Sequence, residues 1–350
     1  MSVSTATGVY HTSYRGDLAL RHTRAEHLRL ALAIAAVVAA PFLVSPYWLT
    51  ILNQIGIAVI GAIGLNILVG FTGQISLGQG GFLAVGAYTS GLLAARAGFP
   101  FPVDVGCAIL ATSALGTLFG LPALRLKGLY LAIATLASQQ VIIWVVTHWD
   151  AVTGGTAALV VPPTELLGWQ LYGDMTWYWV IVAFAGLATL AATNLFRTGL
   201  GRAFVAIRDQ DIAAEVMGVD PFRYKLLAFA ISSAFVGLAG ALTARYNLIV
   251  TWERFTFDVS ILYLAMIIVG GLGSVSGAIY GAAFMIAVPA AIEEASRDLS
   301  GLAFLQPDLP AIQQLIFGLT IVLFLVFEPR GLARIWQRIK DYFRLWPFRY

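Results

Sequence analysis

RTGLGRAFVAIRDQDIAAEVMGVDPFRYK, Arg197 to Lys225, lies between two strongly apolar stretches and carries too much charge to sit in lipid. Its apolar residues keep helical spacing. Phe204 and Ile207 fall three apart, and Ile212, Val216 and Val219 follow at intervals of four and three, a stripe along one helical face. Gly201 and Gly218 punctuate the ends of the helical pattern. Arg208, Asp209, Gln210 and Asp211 read as the junction between two short helices, with either Asp able to cap the second. The segment predicts an amphipathic docking surface outside the bilayer.

The rest of the chain explains why such a segment stands out. Of 350 residues, 59% are apolar and 11% charged, with a mean hydropathy of +0.83; a soluble domain has roughly a quarter of its residues charged. This is an integral membrane protein, predicted as an all-α polytopic membrane helix bundle. Spans are expected near Leu28 to Leu43, Trp48 to Val69, Phe82 to Ala95, Phe101 to Leu121, Gly128 to Val146, Trp177 to Phe196, Leu226 to Tyr246, Ser260 to Gly271, Ala278 to Ile292 and Ile312 to Phe327. These make about ten transmembrane helices. The third and eighth are short for a hydrocarbon core of ~30 Å, which predicts broken or tilted helices there. The first span follows Arg15, Arg21, Arg24 and Arg29 without a small-residue cleavage site and reads as a retained helix rather than a signal peptide.

Lys and Arg set the orientation. The N-terminal tail (1–27), Arg125 with Lys127, the 197–225 segment and the C-terminal Arg330, Arg334, Arg338, Lys340, Arg344 and Arg349 all fall on one side of a ten-helix layout, the cytoplasmic side by the positive-inside rule. Both termini are therefore expected in the cytoplasm. The loop from Trp149 to Thr176 holds Asp150, Glu165 and Asp174 without Lys or Arg and is expected outside. The permease domain then covers 28–327. The basic tail 328–350, with Trp336, Phe343, Trp346 and Phe348 interleaved, reads as an amphipathic helix on anionic membrane lipid rather than a nucleic-acid patch.

Chemistry of the chain's own is hard to find. No G-x-x-x-x-G-K-[ST] string occurs, so a phosphate-cradling loop would have to come from a partner. His11, His22, His27 and His148 form no metal-ligand pattern, and no metal is expected. The single cysteine, Cys107, has apolar neighbours and reads as an inert packed thiol, and the adjacent Glu293 and Glu294 read as solvated charges. Asp104 is the main candidate for a coupling-ion site; it reads as a residue at a helix end. Gln139, Gln140, Asn53 and Asn66 are neutral and suited to hydrogen bonds between helices. This balance favours energy delivered from outside the chain over an ion-coupled carrier acting alone.

A second stretch, GLNILVGFTGQISLGQGGFLAVGAYTSGLL, Gly64 to Leu93, mixes glycines with Thr72, Gln74, Ser76 and Gln79 where one helix ends and another begins. Irregular backbone at membrane depth is tolerated where it is buried in protein or lines a watery cavity. Thr72, Gly73, Gln74, Ser76, Gly78 and Gln79 are therefore candidate substrate-pathway residues, a tight turn with small-residue packing being the alternative. GGLGSVSGAIYGAAF, Gly270 to Phe284, forms a similar glycine-interrupted hairpin late in the chain.

These two stretches, together with GLGRAFVAIRDQDIAAEVMGVDPFRYKLLAFAISSAFVGLAGAL from Gly199 to Leu242, resemble the LivM-type permeases of branched-chain amino acid ABC importers. The matches cover about a third of the chain and fall in the family's order. The resemblance implies a transport subunit in the bacterial inner membrane that binds no cofactor itself. It implies a LivH-like second permease, two cytoplasmic LivG-like and LivF-like ATPases that carry ATP and Mg, and a periplasmic or lipid-anchored binding protein. The 197–225 segment would be the coupling region, with Gly201, Arg202, Arg208, Asp209, Asp211, Glu215 and Gly218 at the ATPase contact and Phe204, Ile207 and Ile212 packing beneath. Related permeases for urea, amides or other small polar solutes share much of the pattern. The outer loop WDAVTGGTAALVVPP departs from the longer polar run expected there.

Overall fold

The computed structural model describes residues 24–298 other than 124, 127, 167 and 168, together with 331–345 and a few positions between 315 and 326. Its helices are α1 (Arg24–Leu43), α2 (Pro46–Asn66, continuing as a π-helical turn Ile67–Phe71), α3 (Gln79–Ala97), α4 (Phe101–Ala123), α5 (Leu129–His148), α6 (Asp150–Thr153) and α7 (Gly173–Arg197). They continue as α8 (Gly199–Asp209), α9 (Asp211–Val216), α10 (Pro221–Asn247), α11 (Phe257–Gly270), α12 (Val275–Asp298) and α13 (Gly331–Leu345). The described residues up to Leu49 and those from Thr50 onward form two compact units. In the first, α1 shows Leu28, Leu32, Ile34 and Phe42 exposed, a surface suited to lipid.

Six helices of the described residues are long and apolar enough to cross a membrane: α2 with its π turn, α4, α5, α7, α10 and α12. The protein is thus a polytopic helical membrane protein. α11 has 14 residues, or ~21 Å of rise, short against a hydrocarbon core of ~30 Å, as its sequence predicts. α3 has 19 residues but is diluted by Gln and Gly at its start. The expected span Ile312 to Phe327 lies largely outside the described residues, as do Lys127 and the 346–350 end of the tail.

Several helices begin earlier than hydropathy places them, α7 and α10 by four and five residues. α7 starts at Gly173 instead of Trp177, and α10 at Pro221 instead of Leu226. For α10 the cause is local: Asp220 accepts hydrogen bonds from the amides of Phe222 (3.0 Å) and Arg223 (3.3 Å), and Pro221 occupies the first helical position. Both devices start a helix whatever the polarity of its first turn.

The interior is built around α2 and α10. The apolar window of α2 is 78% buried and that of α10 56%, against 17% for α7. α10 reaches α3 and α4 through small residues: a Cβ on Gly86 would strike the Gly237 backbone, and one on Gly240 the carbonyl of Leu83. Such close approach lets dispersion contacts hold helices together where lipid offers no hydrophobic drive.

The loop that follows α5 is more ordered than a polar run. It contains α6, β1 (Leu159–Val160), which pairs antiparallel with β4 (Ile249–Val250) just after α10, and the antiparallel pair β2 (Glu165–Leu166) with β3 (Trp169–Gln170). The fold is otherwise helical among the described residues.

Asp104 is at a helix end, as expected, but not at an open interface. It is fully buried in the first turn of α4 and forms an ion pair with Arg245, itself 3% exposed, whose Nε donates to Asp104 Oδ2 at 2.7 Å. Arg245 also donates from Nη2 to the Phe99 carbonyl at 3.4 Å. Next to it, Tyr246 donates its hydroxyl to Asp174 Oδ1 at 2.8 Å, and Thr50 donates to Oδ2 at the same distance. The end of α10 is thereby tied to α4 and α7 by two carboxylates. Arg245 was legible as a signal, being the single charged residue within Leu226 to Tyr246.

Candidate functional site

The segment that is amphipathic in sequence folds into two helices, α8 and α9, separated at Gln210. Phe204 (0% exposed) and Ile207 (4%) are buried beneath α8 as the periodicity requires. Three expectations are corrected. Neither Asp209 nor Asp211 caps α9: Gln210 holds the N-cap position without a side-chain bond, and Asp211 is the first helical residue. Ile212 is 68% exposed and does not pack beneath, and Val216 is 82% exposed. The reason is length: six residues make under two turns, too few to bury a face once Ala214 alone points inward. Gly201 lies inside α8 instead of ending it, pressed so close to the end of α7 that a Cβ would stand 2.7 Å from the Leu195 carbonyl. Gly218 does end α9, with φ +87°.

The two glycine-rich hairpins meet each other and α8. After its π turn, α2 stops at Thr72, where Thr72 Oγ1 donates to the Leu68 carbonyl at 2.6 Å. Gly73 follows with φ +69° and reverses the chain. The second hairpin turns at Gly271 and Gly273. Asn66 ties the two, donating from Nδ2 to the Ser274 carbonyl at 2.7 Å and accepting from the Gly273 amide at 3.0 Å. Phe71 stacks on Phe196 with ring centroids 3.4 Å apart, joining the first hairpin to the end of α7.

Arg208 closes this junction. Its Nη1 donates to the Gly70 carbonyl at 3.0 Å, while Asp209 accepts from its Nε at 3.0 Å and holds the fork in place. A Cβ on Gly273 would stand 2.8 Å from that same Nη1 and 3.0 Å from the Gly70 oxygen. The last turn of α8 is therefore in contact with both hairpins. A hydrogen bond to a charged group is worth ~1.5–3 kcal/mol, enough to bias a two-state helix joint.

Of the sequence-selected pathway residues, Thr72, Gly73 and Gln74 line a cavity of about 310 Å³ with Arg208, Asp209 and Asp211 from the opposite side. Two regions read separately thus form one site. Ser76, Gly78 and Gln79 are drawn into helix packing instead: Gln79 donates to the Gly61 carbonyl at 3.0 Å, and a Cβ on Gly78 would meet the Thr135 carbonyl at 2.7 Å. Deeper still, the Gly80 amide donates to Ser260, whose hydroxyl donates to Gln139 Oε1 at 2.7 Å. Lys225, Gly70 and Gly273 belong to the junction but are not among the residues selected from sequence, whereas Asn66, expected to hydrogen-bond between helices, does so here. The likeness of the hairpins was the available signal for the glycines. Arg202, Glu215 and Ile212 lie on the exposed side. No cluster of three or more metal-ligating side chains occurs among the described residues.

Residues 47–325 match the family described as branched-chain amino acid transport system / permease component. The chain is 34% identical over 327 residues to the high-affinity branched-chain amino acid transport system permease protein LivM of Salmonella typhimurium, covering 87% of this chain and 73% of that protein. It is 33% identical over 331 residues to LivM of Escherichia coli, covering 88% and 75%. A more distant likeness, 24% over 265 residues, links it to the fructose import permease protein FrcC of Rhizobium meliloti, with 73% of each chain covered. No solved structure matches. The chain belongs to the family of permease components of branched-chain amino acid transport systems, as a transport subunit and not an enzyme.

Proposed function

We propose that this chain is the translocating subunit of an ATP-driven importer for branched-chain or related neutral amino acids in a bacterial inner membrane. It crosses the membrane about ten times with both termini inside, works beside a LivH-like permease, and receives solute from an external binding protein. ATP and Mg are held by two cytoplasmic ATPases. The observation that carries this reading is Arg208, which links the α8–α9 segment to Gly70 and abuts Gly273 on the second hairpin.

The division of labour differs from a purely charged docking face. Arg208 of α8 reaches into the permease, whereas α9 and the residues after it present Ile212, Val216 and Met217, each at least 68% exposed. An exposed apolar cluster beside charged residues is suited to a partner surface. ATPase closure would press on α9, and α8 would carry the displacement through Arg208 to the two broken helices, shifting the bundle between its openings.

The test is L-leucine uptake by the chain reconstituted with its partner subunits. Uptake requires ATP, and the double reversal Arg208→Glu with Asp211→Lys leaves hydrolysis running without uptake. Uptake that proceeds without ATP sinks the proposal.

A further inference from the structure

The helix α13 is seated on the bundle at its start and exposed along one face beyond it. A Cβ on Gly331, whose φ is +71°, would stand 2.5 Å from the Gly271 amide, Leu332 packs on the core and Ala333 is buried. The helix thus rests on the turn of the second hairpin and packs against α11 and α12. Gly273, in the same turn, abuts Arg208, so α13 begins at the end of the bundle where α8 lies.

Helical spacing puts Leu332, Ile335, Trp336, Ile339 and Tyr342 in one arc of roughly 120°. Past the seated turn that arc is open: Trp336 is 54% exposed, Ile339 44% and Tyr342 55%. We propose that this face lies in the anionic lipid surface of the inner leaflet and pins the turn of the second hairpin to the membrane; the choice of leaflet rests on the orientation proposed above.

Charge selects lipid over a protein partner. The helix carries Arg334, Arg338, Lys340 and Arg344 against Asp341, and each Lys or Arg near an anionic surface strengthens attachment roughly fivefold. Arg338 and Lys340 fall on opposite borders of the apolar arc, where their stems can lie along acyl chains while the charges reach phosphate. An apolar protein surface would have to desolvate those cations, whereas phosphate headgroups pair with them. Trp and Tyr are also the side chains that settle at headgroup depth. With 15 residues and four cations, α13 suits lying on the bilayer and not crossing it.

Nitroxide labels on the full-length chain test the face. Cys107→Ser removes the single native thiol, and Ile339→Cys or Gln337→Cys places a label on the apolar or the polar side. In vesicles of phosphatidylcholine with a quarter phosphatidylglycerol, the ratio of collisions with oxygen to collisions with a water-soluble nickel chelate should be about threefold or more higher at 339 than at 337. In phosphatidylcholine alone that contrast should fall by about half or more. Position 339 as open to nickel as 337, position 339 closed to both reagents by a protein surface, or a contrast indifferent to lipid charge overturns the proposal. Should a labelled chain misfold, brominated phosphatidylglycerol decides: it should quench the parent more than Trp336→Phe, and equal quenching overturns the proposal. Neither readout needs ATP or uptake, so this face and the importer reading can fail separately.

Discussion

Arg208, on the last turn of α8, donates a 3.0 Å hydrogen bond to the carbonyl oxygen of Gly70, in the π turn that ends α2. The two residues are 138 apart in sequence. The bond joins a short amphipathic helix to the point where a buried helix breaks.

Arg208→Lys tests the geometry of that joint. Lys keeps the charge but has no planar fork with which to hold Asp209 and reach Gly70 together. Loss of ~1.5–3 kcal/mol of differential stabilisation corresponds to roughly a tenfold or greater fall in uptake per ATP hydrolysed. Equal uptake and hydrolysis in the variant and the parent would place the coupling elsewhere.

Gly273→Ala attacks the same joint from the second hairpin. With φ +71° and Arg208 Nη1 2.8 Å from the added methyl, the variant pays left-handed strain of about 1–2 kcal/mol and displaces the guanidinium. Gly98→Ala, at φ +63° with open space around it, carries the strain alone. Gly273→Ala should lose uptake at comparable expression while Gly98→Ala keeps most of it; matched losses would show that backbone strain and not the Arg208 contact is responsible.

Asp104→Ala strands Arg245 in the interior. Breaking one side of a buried pair costs about 3–5 kcal/mol, whereas replacing both partners with apolar groups is often near neutral. Thermal unfolding in detergent should show a large drop in Tm for Asp104→Ala and recovery toward the parent in Asp104→Leu with Arg245→Met. A double variant that keeps transport would assign the pair a structural role; one that folds but cannot transport would give Asp104 a further part.

Val216→Asp places a charge on a face 82% exposed, so the permease itself should fold unchanged. The ATPase interface would have to desolvate the new carboxylate, and co-purification of the ATPases should fall by tenfold or more. Retention of the full complex would mean that α9 is not the docking surface.

Much of this architecture was legible in the order of residues. Long apolar runs dictate membrane helices because each buries its own backbone polar groups, the short apolar run at Ser260 to Gly271 dictates a short helix, and the stripe through Phe204 and Ile207 dictates a buried face. Local rules also fix the start of α10 at Asp220 and Pro221, though hydropathy passed over it. What sequence could not supply was proximity. Hydropathy has no term for Asp104 meeting Arg245 across 141 positions, for Asn66 stitching Gly273 and Ser274 to the first hairpin, or for Ile212 turning outward because α9 is too short to bury a face. Tertiary structure alone decided that Thr72, Gly73 and Gln74 share a cavity with Arg208 and Asp211, because a contact between distant segments depends on how every intervening helix packs, and no local periodicity encodes that sum.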